Sequence, residues 1–153
     1  MEDIVASIDP WERDINWQLL IAYSYSGRAI GRLTRAAGLT TGQPKVLQYL
    51  TTHDGCTQKE IGIGCALDKS TVAGLLSRME AAGLIRRDAR ADDRREAAVC
   101  LTEEGAAAAQ VAASNAAQVD EIALRGFDAA ERAELSDLLA RVIRNFKQHE
   151  GVA

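Results

Sequence analysis

The stretch that restricts the fold most is residues 57 to 102, which reads as helix, turn, helix and then a two-stranded basic hairpin. The first helix opens on Thr57-Gln58-Lys59-Glu60. This is a capping box: Thr57 can accept from the Glu60 N–H while the Glu60 carboxylate returns to the Thr57 N–H. The second helix starts at Asp68, whose side chain can satisfy free backbone N–H groups. It runs out at Ala81-Ala82-Gly83, where Gly83 can take the left-handed conformation that closes a helix. Val72, Leu75, Leu76 and Met79 fall at the i, i+3, i+4, i+7 spacing of one buried stripe. The opposite face carries Lys69, Ser70, Thr71, Gly74, Ser77 and Arg78. Small, polar or basic groups of this kind suit a helix lying in a DNA major groove, where short polar side chains near its N-terminus reach base edges.

Residues 84–88 then read as a strand and 96–101 as its partner. Between 84 and 95 stand five Arg (86, 87, 90, 94, 95) and three Asp (88, 92, 93). The connection is too polar for a core and too charged for an ordinary tight turn. A basic hairpin tip beside a helix-turn-helix is a wing, and guanidinium groups at such a tip can enter a narrow minor groove, where the potential is most negative. Arg90 and Arg94 are placed to hold phosphates. Arg86 and Arg87 alternate across a strand, so one of them points back toward the lobe.

The run TQKEI…LDKSTVAGLLSRMEAAGLIRR…DDRREAAVCLTEEG resembles the MarR family of winged-helix transcriptional regulators, closely over residues 40 to 105. The D-x-R wing signature followed by LT-x-x-G falls on Asp93, Arg95, Leu101, Thr102 and Gly105. The resemblance implies that Arg95 enters the minor groove and Asp93 orients it. It also places Gln43 in the LT-x-x-Q helix that begins the lobe. Two departures stand out: Gly74 where the family more often has Thr, Ser or Arg, and Gly62 with Gly64 inside the first helix.

Net charge is −4, which taken alone argues against nucleic acid. Its distribution reverses that reading. Residues 1–56 carry −1, 57–95 carry +2 and 96–153 carry −5. Phosphate affinity depends on the local basic surface rather than on the total. Length of 153 residues bounds the chain to about one domain. No apolar run approaches the roughly 20 residues of a membrane span, and the acidic N-terminus lacks a signal-peptide pattern. The expected location is cytoplasmic.

The expected fold is mainly α with a small β-hairpin wing. A winged helix-turn-helix lobe (41–102) is flanked by dimerisation helices (11–37 and 103–148). Pro10 suits a helix start, and the first helix is apolar on more than one face, through Ile15, Trp17, Leu20, Tyr23 and Ile30 among others. Such a helix needs more to pack against than one small domain supplies. A short helix from Thr41 to Thr52 and a turn at His53-Asp54-Gly55-Cys56 lead into the lobe. After the wing, Thr102 caps an Ala-rich helix suited to close packing, and Gly126 breaks it. Asp128 opens a last helix carrying Leu135, Leu138, Leu139, Val142, Ile143 and Phe146.

The outer helices either close the domain's own core or form a two-fold dimer, and symmetric dimers are the commonest oligomers. A dimer sets two recognition helices about one DNA turn (~34 Å) apart and so expects a pseudo-palindromic operator. The function expected is therefore a sequence-specific, homodimeric transcriptional regulator, a repressor by resemblance. Its DNA-facing set is Gln58, Lys69, Ser70, Thr71, Gly74, Arg78, Arg90, Asp93, Arg94 and Arg95, with Lys45 and Lys59 as further phosphate candidates. The face of the second helix, taken alone, reads equally well as solvated surface; the capped helix before it and the arginines after it favour DNA. Resemblance implies a small-molecule effector held where the dimerisation helices meet the lobe. Trp11, Trp17, Tyr23, Tyr25 and Arg28 either line that pocket or serve as interface.

Two other classes compete: a winged-helix protein-interaction module without DNA binding, and a redox-sensing regulator using Cys56, Cys65 or Cys100. An odd number of cysteines at irregular spacing does not build a disulfide framework. His53 and His149 show no metal-ligand spacing. No phosphate-cradling or nucleophile motif is present; the G-x-G of 62–64 falls inside a helix. No enzyme activity and no cofactor are expected.

Overall fold

The computed structural model describes residues 9–89 and 97–152. A 3-10 turn, Pro10–Arg13, precedes α1 (Ile15–Ala36). The sequence predicts one helix from Trp11, but Asp14 interrupts it. Its backbone is extended, and its carboxylate accepts from the N–H groups of Asn16 and Trp17 at 2.8 and 3.3 Å, so it caps a new helix. There follow α2 (Gln43–Leu50), β1 (Cys56–Thr57), α3 (Gln58–Gly64) and α4 (Lys69–Ala81). The sheet continues with β2 (Ile85–Ala89) and β3 (Ala97–Leu101), and the chain ends in α5 (Glu103–Ala123) and α6 (Ala129–His149). The sheet is antiparallel in the order β1-β3-β2.

α2 starts two residues later than the predicted Thr41. Gly42 sits at φ 90°, and the Gln43 side chain, only 5 % exposed, accepts from the Thr40 N–H at 2.8 Å. That side chain closes the turn leading into the helix. Cys56 is a strand residue rather than part of a turn, because it pairs with Val99 while Thr57 pairs with Ala98.

The core lies inside the lobe. Val46, Leu47 and Leu50 of α2, Ile61 of α3, the predicted stripe of α4 and Val99 of β3 meet there, each at most 2 % exposed. Full burial of a Leu or Met side chain contributes about 1.5–3 kcal/mol. α5 packs on α2 and α1. It buries Gly105, Ala109, Ala112, Asn115 and Val119 along one stripe, and small residues there let the backbones approach closely.

Two glycines answer to specific neighbours. A Cβ on Gly64 would lie 2.3 Å from the Tyr49 ring, which also stacks on His53 at 4.1 Å. A Cβ on Gly105 would lie 1.8 Å from the Leu84 carbonyl oxygen.

Outside the lobe the picture reverses. α6 buries none of its residues, and Leu138, Leu139, Ile143 and Phe146 stand 41–58 % exposed. On α1, Ile15, Leu20 and Tyr23 are exposed as well. The corner between α5 and α6 is pinned by Arg132, which the sequence reading did not single out. Its guanidinium donates to Glu121 at 2.9 Å and to the carbonyls of Leu124 and Phe127 at 3.2 and 3.3 Å. Among the described residues no helix is long and apolar enough to cross a membrane.

Candidate nucleic-acid interface

The start of α4 is built by its own cap. Asp68 Oδ1 accepts from the Thr71 N–H at 2.8 Å and the Ser70 hydroxyl at 2.6 Å, while Oδ2 accepts from the Thr71 hydroxyl at 2.5 Å. Donation from Ser70, then from the Thr71 side chain and backbone, holds the Asp68 carboxyl well below the usual carboxylate range. It stays ionised throughout the neutral range. With their protons committed to Asp68, the Ser70 and Thr71 hydroxyls present lone pairs outward and act as acceptors. Lys69, Ser77 and Arg78 are exposed on the same helix. Gly74 is half-buried, and among the described residues a Cβ there would meet the flexible end of Arg78, at 3.4 Å. Packing among the described residues therefore does not demand a glycine at 74.

α3 begins as the sequence predicts. The Thr57 hydroxyl accepts from the Glu60 N–H at 3.2 Å, and Glu60 accepts from the Thr57 N–H at 2.6 Å. This sets Gln58, half-buried, at the positive end of the helix, with Lys59 exposed beside it. Lys45 is committed elsewhere: its ammonium donates to the Cys65 carbonyl at 3.1 Å, closing the C-terminus of α3.

On the hairpin, Arg87 turns back to Glu80 of α4 at 3.3 Å, and Arg86 spans Asp88 at 3.0 Å and the Leu101 carbonyl at 2.9 Å. Ion pairs this exposed are worth at most about 1 kcal/mol each; they set the direction of the hairpin rather than hold the lobe together. Arg90, Asp93, Arg94 and Arg95 lie outside the described residues. The structure thus brings Gln58, Lys69, Ser70, Thr71, Gly74 and Arg78 onto the paired helices and gives no position for the wing-tip set.

A feature absent from the sequence reading is a groove of about 870 Å³ between α3, α4 and the sheet. Ile63, Leu67, Val72 and Val99 line it with apolar surface, and Lys59, Lys69 and Arg87 bring charge to it. Gly62 also lines it, where a Cβ would come within 3.3 Å of the Leu67 carbonyl. The five aromatic and basic residues of α1 and its preceding turn are not part of that groove. Trp11 meets Trp17 edge-on at 4.7 Å, and Arg28 lies over the Tyr25 ring at 4.5 Å.

The thiols are poorly set up for redox chemistry. Burial, followed by the charge of Glu60, pushes Cys56 up to about 11. Burial likewise raises Cys65 and Cys100. A reactive cysteine needs the opposite, an exposed electropositive setting. Among the described residues no group of three His, Cys, Asp or Glu could hold a metal ion.

A family model described as the MarR family matches residues 39–97. The chain is 32 % identical over 105 residues to the transcriptional repressor NicR of Pseudomonas putida. It is 36 % identical over 107 residues to the transcriptional regulator HosA of Escherichia coli, covering 70 % of this chain and 78 % of HosA. The match spans 66 % of NicR and 50 % of the regulator TtmR of Methylorubrum extorquens. Among solved structures, a MarR transcriptional regulator from Methanosarcina mazei superposes with a TM-score of 0.81 at 27 % identity, over 88 % of this chain and 96 % of that one. BpsR of Bordetella bronchiseptica, described by the regulation of its DNA binding by 6-hydroxynicotinic acid, superposes at 0.78 with 26 % identity, over 86 % of this chain and 94 % of that one.

Proposed function

The chain belongs to the MarR family of winged helix-turn-helix transcriptional regulators, and from that premise we propose that it represses transcription as a homodimer bound to a pseudo-palindromic operator, and that a small molecule releases it. The family is one of regulators rather than enzymes, and the chain is not an enzyme. The observation that carries the DNA reading is the exposed start of α4, where Asp68 fixes Ser70 and Thr71 beside Lys69 and Arg78. In the major groove, hydroxyls held as acceptors favour the amino groups of cytosine and adenine. Lys69, Arg78 and the N-terminus of α3 at Gln58 are assigned to phosphate or base edges. Gly74 leaves room for the duplex at the middle of the helix. Arg95, oriented by Asp93, is assigned to the minor groove, with Arg90 and Arg94 on flanking phosphates.

The homodimer reading is supported by the apolar side chains of α1 and α6 that no described residue of the chain covers, such as Ile15, Leu20, Ile143 and Phe146. Residues 11–37 and 103–148 are assigned to the dimer and 41–102 to the reading lobe. Effector release is supported by BpsR, whose DNA binding a small molecule regulates. A ligand that fits only the dimer with the wrong helix spacing lowers operator affinity by population shift. A repressor of this kind works in the cytoplasm, where its operator is.

Selection of bound duplexes from a random pool, followed by gel-shift titration at several salt concentrations, tests the reading. A palindromic consensus and steep salt dependence are expected; indifference to every duplex at low ionic strength leaves a protein-interaction module instead. On the selected operator, Arg95→Ala is expected to weaken binding by more than about tenfold with folding intact, and unchanged affinity removes the wing from the mechanism. Peroxide treatment is expected to leave the gel shift unaltered, because all three thiols are protonated at neutral pH. A loss of binding that a thiol reductant reverses would instead establish redox control.

A further inference from the structure

We propose that Asp54 and Arg86 are positioning residues for DNA recognition: they hold the two backbone groups of Leu101 and so fix the direction in which the hairpin delivers the wing. This rests on the reading above, in which Arg95 meets the minor groove, and names the residues that set its approach.

The junction between hairpin and lobe is short. β1 offers β3 two paired residues, Cys56 with Val99 and Thr57 with Ala98, and the Gly55 N–H adds a bond to the Val99 carbonyl at 2.9 Å. Backbone groups of successive strand residues face opposite edges, so the next residue of β3 on that edge is Leu101. Asp54 supplies the partner that the short strand lacks, and its Oδ1 accepts from the Leu101 N–H at 2.8 Å. The Leu101 carbonyl accepts from the Arg86 guanidinium at 2.9 Å, and Arg86 Nε donates to Asp88 at 3.0 Å. Each backbone group of Leu101 is thus held by a charged side chain, the stronger class of hydrogen bond.

The two holds have different origins. Asp54 stands in the turn between α2 and β1 and ties β3 to the lobe; Arg86 stands on β2 and ties β3 to its hairpin partner. Past Leu101 the chain is fixed to the lobe, because the Thr102 hydroxyl donates to the Gly83 carbonyl at 2.6 Å and caps α5. Before Leu101, β3 leads back to Ala97, two positions from Arg95. The direction of β3 at Leu101 therefore governs where Arg95 is delivered. Both side chains are exposed and outside the core. The sign of the effect separates positioning from charge. Removing an acid strengthens binding to a polyanion by electrostatics alone, whereas losing the hold on Leu101 weakens it.

Gel-shift titration of the full chain on the selected operator tests this with Asp54→Ala, Asp54→Asn and Arg86→Lys, each alone and combined with Arg95→Ala. Asp54→Ala is expected to weaken binding about fivefold. Asp54→Asn removes the same charge but keeps an acceptor for the Leu101 N–H, and is expected to bind at least as tightly as the parent. Arg86→Lys keeps its charge but loses the fork that spans Asp88 and Leu101, and is expected to weaken binding about threefold. With Arg95→Ala present, neither Asp54→Ala nor Arg86→Lys is expected to weaken binding further, because the group they position is gone. Parent-like affinity for Asp54→Ala, or an undiminished loss in the Arg95→Ala background, overturns the proposal. A parent chain that binds no duplex, or Arg95→Ala without effect, fails the DNA reading instead. Amide hydrogen exchange at Leu101 without DNA then decides the hold on the strand: exchange about fivefold faster in Asp54→Ala but not in Asp54→Asn is expected, and equal rates overturn it.

Discussion

Replacing Leu139 and Ile143 together by glutamate is expected to give a monomer on size-exclusion chromatography and to lower operator affinity by at least about a hundredfold. The argument starts from exposure. Both side chains stand open on α6, at 41 % and 54 %, and no residue of α6 is fully buried among the described residues. Charge there costs the lobe nothing, so circular dichroism and the melting of the lobe core should be preserved. In the proposed dimer the same positions are covered by the partner, and four unpaired carboxylates in an apolar contact oppose association. Operator binding falls because each lobe then meets its half-site alone. The second half-site is no longer presented at the millimolar effective concentration that a linked partner provides. A double variant that still elutes as a dimer would move the interface off α6; a monomer that still binds the full operator as tightly would make dimerisation irrelevant to recognition.

Gly105→Ala is expected to destabilise the lobe by about 3 kcal/mol, the upper end for forced overpacking. That lowers the thermal midpoint by roughly 6–12 °C for a chain of this size. The added methyl would sit 1.8 Å from the Leu84 carbonyl oxygen. Neither side can yield easily, since both are backbone. Leu84 accepts from the Thr102 N–H, and the Thr102 hydroxyl both donates to the Gly83 carbonyl at 2.6 Å and accepts from the Gly105 N–H at 2.9 Å. The end of α4, the root of the hairpin and the start of α5 are thus joined at one point. Gly126→Ala, whose added Cβ would meet nothing within 4 Å but whose φ is 86°, separates steric overlap from backbone strain. A midpoint for Gly105→Ala within 2 °C of the parent, roughly 1 kcal/mol or less, would refute the overlap.

Local signals are legible in the sequence itself. Thr57 with Glu60, Asp68, Thr102, and Asp128 with Glu131 all cap the helices that the sequence assigned to them. The stripe Val72, Leu75, Leu76 and Met79 is the buried face of α4. These features depend on residues within one or two turns of each other, and periodicity captures them. What escaped depends on distant partners. β1 is two residues long and exists because Cys56 and Thr57 pair with Val99 and Ala98. Gly64 is small because of Tyr49, and Gly105 because of Leu84. Arg132 is held by three acceptors, and no local pattern in the sequence announces them. The groove was invisible for the same reason, since its walls come from α3, α4 and both hairpin strands. Of the candidate site, the placement of Gln58, Lys69, Ser70, Thr71, Gly74 and Arg78 on α3 and α4 was readable from capping and periodicity, while their contact with DNA is a proposal. The wing half rests on composition and resemblance alone.

The continuity of α5 has a mechanical meaning. One uninterrupted rod is anchored in the reading head at Gly105 and runs past α2 and α1 to the arm. Because a rod of roughly 31 Å magnifies angle into travel, a tilt of only about 5° at one end carries the other by nearly ~3 Å. In the proposed dimer two such rods, one per subunit, would act as calipers: an effector wedged in near the arm would change the gap between the heads by an amount that spoils their fit to successive turns of the double helix.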